Sequence, residues 1–201
     1  MIAQTCILIL SLIVLSGCTS MEPTDFSNTK PVLRIEKYFV GQTRAWGIFE
    51  DRFGNLRRQF VVDIQGNWDG ENLVLDEKFR YSDGETDRRI WSIKKIDAHR
   101  YEGTAADVIG VAAGEAHGNA LNWRYDMDMK VGEGTLRVHF NDWMYLQPSG
   151  VLVNRARVSK FGVEIGEVSL FFQKSTQLLD VSAIPFNVPI NDDAKRRSAN
   201  Q

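Results

Sequence analysis

The sequence predicts an all-β fold, an antiparallel up-and-down barrel, on three observations. Period-2 alternation of apolar and polar residues recurs along the chain, turn residues fall between the alternating runs at intervals near ten, and no stretch of about a dozen residues sustains a helical period with caps. In a strand, successive side chains point to opposite faces, so strict alternation buries one face and wets the other.

The runs follow in order. Phe60-Val62-Ile64 comes first, then Leu73-Leu75-Phe79, each with polar residues between. The clearest run is Leu121, Trp123, Tyr125, Met127 and Met129, set against Asn122, Arg124, Asp126, Asp128 and Lys130. Leu136-Val138-Phe140 repeats the pattern, as does Val168-Leu170-Phe172, which merges into Leu170-Phe171-Phe172. Between them lie Gly54-Asn55, Asp69-Gly70, Asp83-Gly84, Gly132–Gly134 and Pro148–Gly150, residue types that tolerate positive φ and join hairpins. Counted from Leu33, this makes nine or ten strands. A meander with one apolar face buries that face by curling into a barrel, and short consecutive hairpins favour that outcome over a two-sheet β-sandwich.

The start of the chain has a different character. Residues 1–21 hold one Glu-free, Lys-free apolar run, Ile7–Leu15, ending in Leu15-Ser16-Gly17-Cys18. The run is too short to span a bilayer and suits a signal peptide. Small residues directly before a cysteine are what lipoprotein processing requires: the thiol of Cys18 takes a diacylglycerol, residues 1–17 are removed, and the new amine is acylated, commonly with palmitate. Two or three acyl chains anchor stably where one does not. Thr19, rather than an Asp, follows the cysteine, which points to the periplasmic face of the outer membrane of a Gram-negative cell. Met1–Cys6 lacks the basic residue that usually opens a signal peptide; either the terminal amine supplies the charge or the true start lies upstream, and an uncleaved anchor is the alternative.

Residues 18–31 read as a polar lipidated tether, 32–183 as the barrel and 184–201 as a flexible tail. All 24 basic and 26 acidic residues follow the signal, with no basic stripe, so nucleic acid is not an expected partner. With Cys6 removed and Cys18 acylated, no thiol is left for disulfides, catalysis or metal.

Several strings resemble the bacterial lipoprotein family called domain of unknown function 3833. These are Ala45-Trp46-Gly47-Ile48-Phe49-Glu50-Asp51-Arg52-Phe53-Gly54, Leu75–Gly84 with Arg89-Ile90-Trp91, Asn141-Asp142-Trp143-Met144-Tyr145, Asn154-Arg155-Ala156 and Lys160-Phe161-Gly162. The similarity spans about Tyr38 to Phe172. It implies a lipocalin/calycin-like barrel on a lipid anchor, no particular activity, and genes often found beside those of lipid-modifying enzymes.

Catalytic signatures are absent. There is no G-x-S-x-G elbow, Ser149 sits in a turn, and His99, His117 and His139 show no metal-ligand spacing, so neither a cofactor nor a metal is expected. The informative residues are polar ones on apolar faces. Glu77 is in register with Leu73, Leu75, Phe79 and Tyr81, and Asp142 with Leu136, Val138, Phe140 and Met144. A three-residue loop at Asp83-Gly84 sets Glu77 opposite Arg89, with Trp91 on the face of Arg89.

An inward carboxylate needs a cation, a proton, water or a ligand. Two readings are open. In one, Glu77–Arg89 and Asp142 with Arg155 or Arg157 are structural ion pairs. In the other, Glu77, Arg89, Trp91, Trp123, Tyr125 and Asp142 line an aromatic ligand pocket. The expected function is a lipid-anchored barrel that binds or carries a hydrophobic, lipid-like small molecule. The alternatives are a non-enzymatic accessory lipoprotein acting through protein contacts, with no identifiable protein partner, and, less favoured, a lipid- or ester-modifying enzyme using Glu77 or Asp142 as acid–base.

Overall fold

The computed structural model describes residues 20–132 and 134–174. Cys18, the signal segment and the C-terminal tail lie outside the described residues. Ten antiparallel strands follow in order: β1 (Gly41–Asp51), β2 (Leu56–Trp68), β3 (Asn72–Tyr81), β4 (Thr86–Lys95), β5 (Arg100–Thr104), β6 (Val108–His117), β7 (Ala120–Val131), β8 (Gly134–Leu146), β9 (Leu152–Lys160) and β10 (Val163–Lys174). Each pairs with its sequence neighbours, and β10 returns to β1 from Thr43↔Lys174 to Asp51↔Gly166. Among the described residues the sheet is therefore closed, with no edge strand. That excludes the sandwich, and the up-and-down order is the lipocalin-like one. Ten strands enclose more space than the eight that suffice for one small ligand.

Alternation sorts the two faces as expected. On β7, Leu121, Trp123, Tyr125 and Met127 are buried while Arg124 and Asp126 are exposed. The outer face carries cross-strand ion pairs, among them Arg88–Asp76 at 2.8 Å and Arg137–Asp128 at 2.8 Å. Such exposed pairs contribute little each and mainly keep the outer wall wet.

The barrel has a closed end and an open end. Leu33–Phe39, counted above as the first strand, is instead a plug. Ile35, Tyr38 and Phe39 recur at helical spacing, and one turn, α1 (Ile35–Tyr38), aims them at the core. Phe39 packs edge-on to Phe172 at 5.6 Å, and the Tyr38 hydroxyl donates to the carbonyls of Phe172 (3.0 Å) and Gly150 (3.1 Å). Glu36 is buried on the same turn. Burial pushes its carboxyl up, but bonds from Lys95 and from the Tyr101 hydroxyl (2.8 Å) outweigh that and hold it below the usual range. The fully buried Leu73, Leu121 and Leu152 lie at this end.

The stretch read as a tether is ordered from Ser20 onward. Pro23–Phe26 forms a 3₁₀ turn on the outer wall, where Phe26 lies against Trp143 (5.8 Å) and Tyr145 (5.6 Å). Thr29 Oγ1 donates to Asn119 Oδ1 at 2.7 Å. A polar composition hid this strap because one aromatic ring and a few hydrogen bonds suffice to seat it. The opposite end, ringed by the β1–β2, β3–β4, β5–β6, β7–β8 and β9–β10 turns, is the mouth.

Candidate functional site

Inside the barrel is a cavity of about 1170 Å³ that opens at the mouth. Small-molecule sites ordinarily run to roughly 300–1,000 Å³. All six residues singled out from the sequence line it: Glu77, Arg89, Trp91, Trp123, Tyr125 and Asp142. Of the five tryptophans, Trp91 and Trp123 face the cavity; Trp46, Trp68 and Trp143 do not line it.

The strand register assembles the site. Glu77 pairs directly with Arg89 across β3–β4, as the three-residue loop predicts. Trp123 pairs with Asp142, and Tyr125 with Phe140, across β7–β8. Trp123 can lie flat on the wall because Gly103 on β5 and Gly114 on β6 present no side chain; a Cβ at Gly103 would meet its ring at 2.7 Å. Trp91 meets Trp123 and Tyr125 edge-on at 5.7 and 5.4 Å, and Tyr125 stacks on Phe140 at 5.0 Å. The result is an aromatic box around a charged cluster.

Arg89 is the centre of that cluster. Its Nε donates to Asp107 Oδ2 at 2.9 Å and Nη2 lies 2.8 Å from the same oxygen, while Nη1 stands 4.0 Å from Glu77 Oε2. Its guanidinium also lies 5.4 Å from the Phe79 ring centroid. Burial works against the charge of Arg89, but Glu77, Tyr125 and Asp107 outweigh it and keep the group firmly protonated.

Asp107 was not legible in the sequence. It sits in the β5–β6 turn, outside any alternating run, and the β4–β5 register (Ser92↔Thr104), carried three residues further, sets it opposite Arg89. The ion pairs considered for Asp142 do not form. Arg155 reaches Glu167 at 2.6 Å and Arg157 approaches Glu164 at 3.8 Å, both on the outer face, because alternation on β9 points them away from the inward Asp142.

Asp142 is 6% exposed, and its Oδ1 is buried with no hydrogen-bond partner. Burial raises its carboxyl to about 7; Arg89 opposes that and Glu77 adds to it. Burial likewise raises Glu77 to about 7, against the pull of Arg89 and with the push of Asp107 and Asp76. The Tyr125 hydroxyl is pushed well above its usual range, first by burial and then by Asp142. One cation thus faces more carboxyl groups than it can neutralise, so near neutral pH the cluster holds protons that the unfolded chain would release. Among the described residues, leaving out Arg88 and Asp128, whose ion pairs lie on the outer face, the cavity wall carries six carboxyl groups and three cationic side chains.

A pH dependence of stability follows. Glu77 and Asp142 in the unfolded chain ionise near pH ~4, and in the barrel near pH 7. Between those values the folded state binds more protons, so stability falls as pH rises through the window and levels off above it. Denaturant unfolding is expected to show a loss on the order of 5 kcal/mol from about pH 5 to about pH 8. Asp142→Asn should stabilise the barrel at the higher pH and remove about half the slope. A flat profile in the parent protein would contradict the placement of these carboxyls.

The histidines stand apart from this site. His139 Nδ1 lies 2.7 Å from Asp126 Oδ1 on the outer wall. His99 and His117, distant in sequence, stack at 4.1 Å on neighbouring elements.

The barrel is similar to a solved structure, that of the S-type phycobiliprotein lyase CPES from Guillardia theta, with a TM-score of 0.50 at 7% identity. The match covers 76% of this chain and 96% of that one, and at such identity it speaks for the fold alone. No curated protein matches the chain. A family model described as "Protein of unknown function (DUF3833)" matches residues 12–174.

Proposed function

The chain belongs to the DUF3833 family, and on that footing we propose that it is a membrane-anchored periplasmic lipoprotein whose barrel binds a hydrophobic, lipid-like small molecule. The observation that carries the binding is the open cavity of about 1170 Å³, walled by aromatic and aliphatic side chains around a few convergent polar groups. An accessory protein acting only through its outer face calls for a filled interior, and the cavity weighs against that reading. The anchor rests on the apolar run Ile7–Leu15 and on Leu15-Ser16-Gly17-Cys18. Loss of palmitate incorporation in Cys18→Ala cells is its test, with labelling that persists as the contrary result.

The cluster also selects a head group. Asp142 Oδ1 lacks a donor, and the carboxyl groups of the wall outnumber its cations. An incoming carboxylate would meet like charge and leave Oδ1 unpartnered, whereas an amine or hydroxyl head supplies the missing donor. Three probes with one tail separate the possibilities: dodecylamine, glycerol monolaurate and dodecanoate, measured by calorimetry at about pH 8. The amine and the glycerol ester should bind at least about tenfold more tightly than dodecanoate. Asp142→Asn should erase most of the amine's advantage. If none of the three binds, the ligand-binding reading fails; if all bind alike, only the head-group preference does.

A further inference from the structure

Two neighbouring hairpins at the mouth repeat one triplet of chemistry that the cavity does not use. Arg52-Phe53-Gly54 caps the β1–β2 turn and Lys160-Phe161-Gly162 caps the β9–β10 turn. The glycine of each has the same backbone setting, with φ of +77° at Gly54 and at Gly162. In each the cation lies over its own neighbour's ring, Arg52 at 4.7 Å from the Phe53 centroid and Lys160 at 5.3 Å from that of Phe161. The two hairpins are joined through the β1–β10 seam, where the Arg52 amide donates to the Ile165 carbonyl at 3.1 Å.

Neither ring serves the fold. Phe53 is 75% exposed and Phe161 is 95% exposed. Phe161 also holds φ at +51°, a left-handed setting that is costly for a bulky residue and is not offset by any burial. Leu56 and Val163, on the same two hairpins, are exposed as well. An apolar tip with a cation at its base is the chemistry of the bilayer interface, where rings enter the acyl boundary and Lys or Arg stays at the phosphates. Of the acids beside the two triplets, Asp51 binds Arg57 at 2.7 Å and Glu164 stands 3.8 Å from Arg157, and on the next turn round the rim Asp83 binds Arg58 at 2.9 Å.

We propose that these two tips dock the mouth of the barrel onto an anionic lipid bilayer. Such contact would place the cavity's opening against the surface from which a lipid-like ligand enters or leaves. The contact is separate from the N-terminal anchor, because Met21, three residues after Cys18, has its Sδ 3.8 Å from the Tyr145 hydroxyl at the plugged end.

The geometry sets the experiment. The mature protein is inserted by its own anchor into phosphatidylcholine vesicles and mixed with fluorescent vesicles, either of phosphatidylcholine alone or with phosphatidylglycerol added. Should the protein stay in solution, cosedimentation with the same two vesicle types reads the same contact. Anionic vesicles should be captured at least about tenfold more than zwitterionic ones. The Phe53→Ser/Phe161→Ser pair should abolish capture, and Arg52→Gln/Lys160→Gln should lower it several-fold. Dodecylamine binding in the same variants reports that the barrel is intact and keeps this test separate from that of the cavity. Equal capture of both vesicle types, or capture undiminished in the double Ser variant, overturns the proposal. No capture of either type overturns it too, and leaves a protein as the partner of the tips.

Discussion

Arg89→Met is expected to cost the barrel about 3–5 kcal/mol at about pH 8, the usual effect of leaving buried charge without its partner. Arg89 faces Asp107 at 2.8 Å and Glu77 at 4.0 Å, and it is the opposing charge at Asp142. Methionine keeps most of the volume, so the loss reports electrostatics rather than a hole. The pH dependence identifies the cause. At about pH 5, Glu77 and Asp142 both carry protons, since burial holds them near 7. What is lost there is mainly the contact with Asp107, which reaches the mouth and water. The cost should therefore fall by about half at the lower pH. A loss that is the same at both pH values would mean that Arg89 acts through packing alone.

Gly66→Ala should be the other severe change, for a reason confined to the plugged end. A Cβ at Gly66 would overlap the Phe39 carbonyl and stand 3.2 Å from Leu75. Both are backbone or packed core, so the strain cannot be relieved by a side-chain rotation. Overpacking of this kind typically costs 1–3 kcal/mol and more where backbone must move, so about 3 kcal/mol is expected here. The plug should leave as a unit, since Tyr38, Glu36 and Phe39 are held from one turn. Limited proteolysis ought to open residues 20–40 while strand circular dichroism persists. Gly134→Ala is the control: its Cβ would meet nothing nearer than the Val131 carbonyl at 3.8 Å, and its effect should stay within about 0.5 kcal/mol. Equal stability of the two variants would remove the plug from the account of this end.

Much of the site was legible one strand at a time. Alternation placed Glu77 and Asp142 inward, and the length of the Asp83-Gly84 loop placed Arg89 opposite Glu77. Asp107 was not, since a turn residue has no period to read. Nor was the partner of Asp142. Arg155 and Arg157 are near it across one strand pair, yet alternation sends them outside, and Arg89 influences it from β4 across the interior. The strap at Pro23–Phe26 was hidden for a related reason, because its hold depends on Trp143 and Tyr145, more than a hundred residues away.

Which residues face inward follows from local sequence alone, because side-chain direction in a strand depends only on parity along the chain. The length of the Asp83-Gly84 turn likewise set the Glu77–Arg89 pairing, and alternation set the aromatic face of Trp123 and Tyr125. Closure of the sheet from β10 to β1, the hollow interior and the meeting of Arg89 with Asp142 arise only in three dimensions. Closure and volume are sums over all ten strands and their tilt, and charge coupling depends on distance across the lumen. No window of sequence contains either quantity.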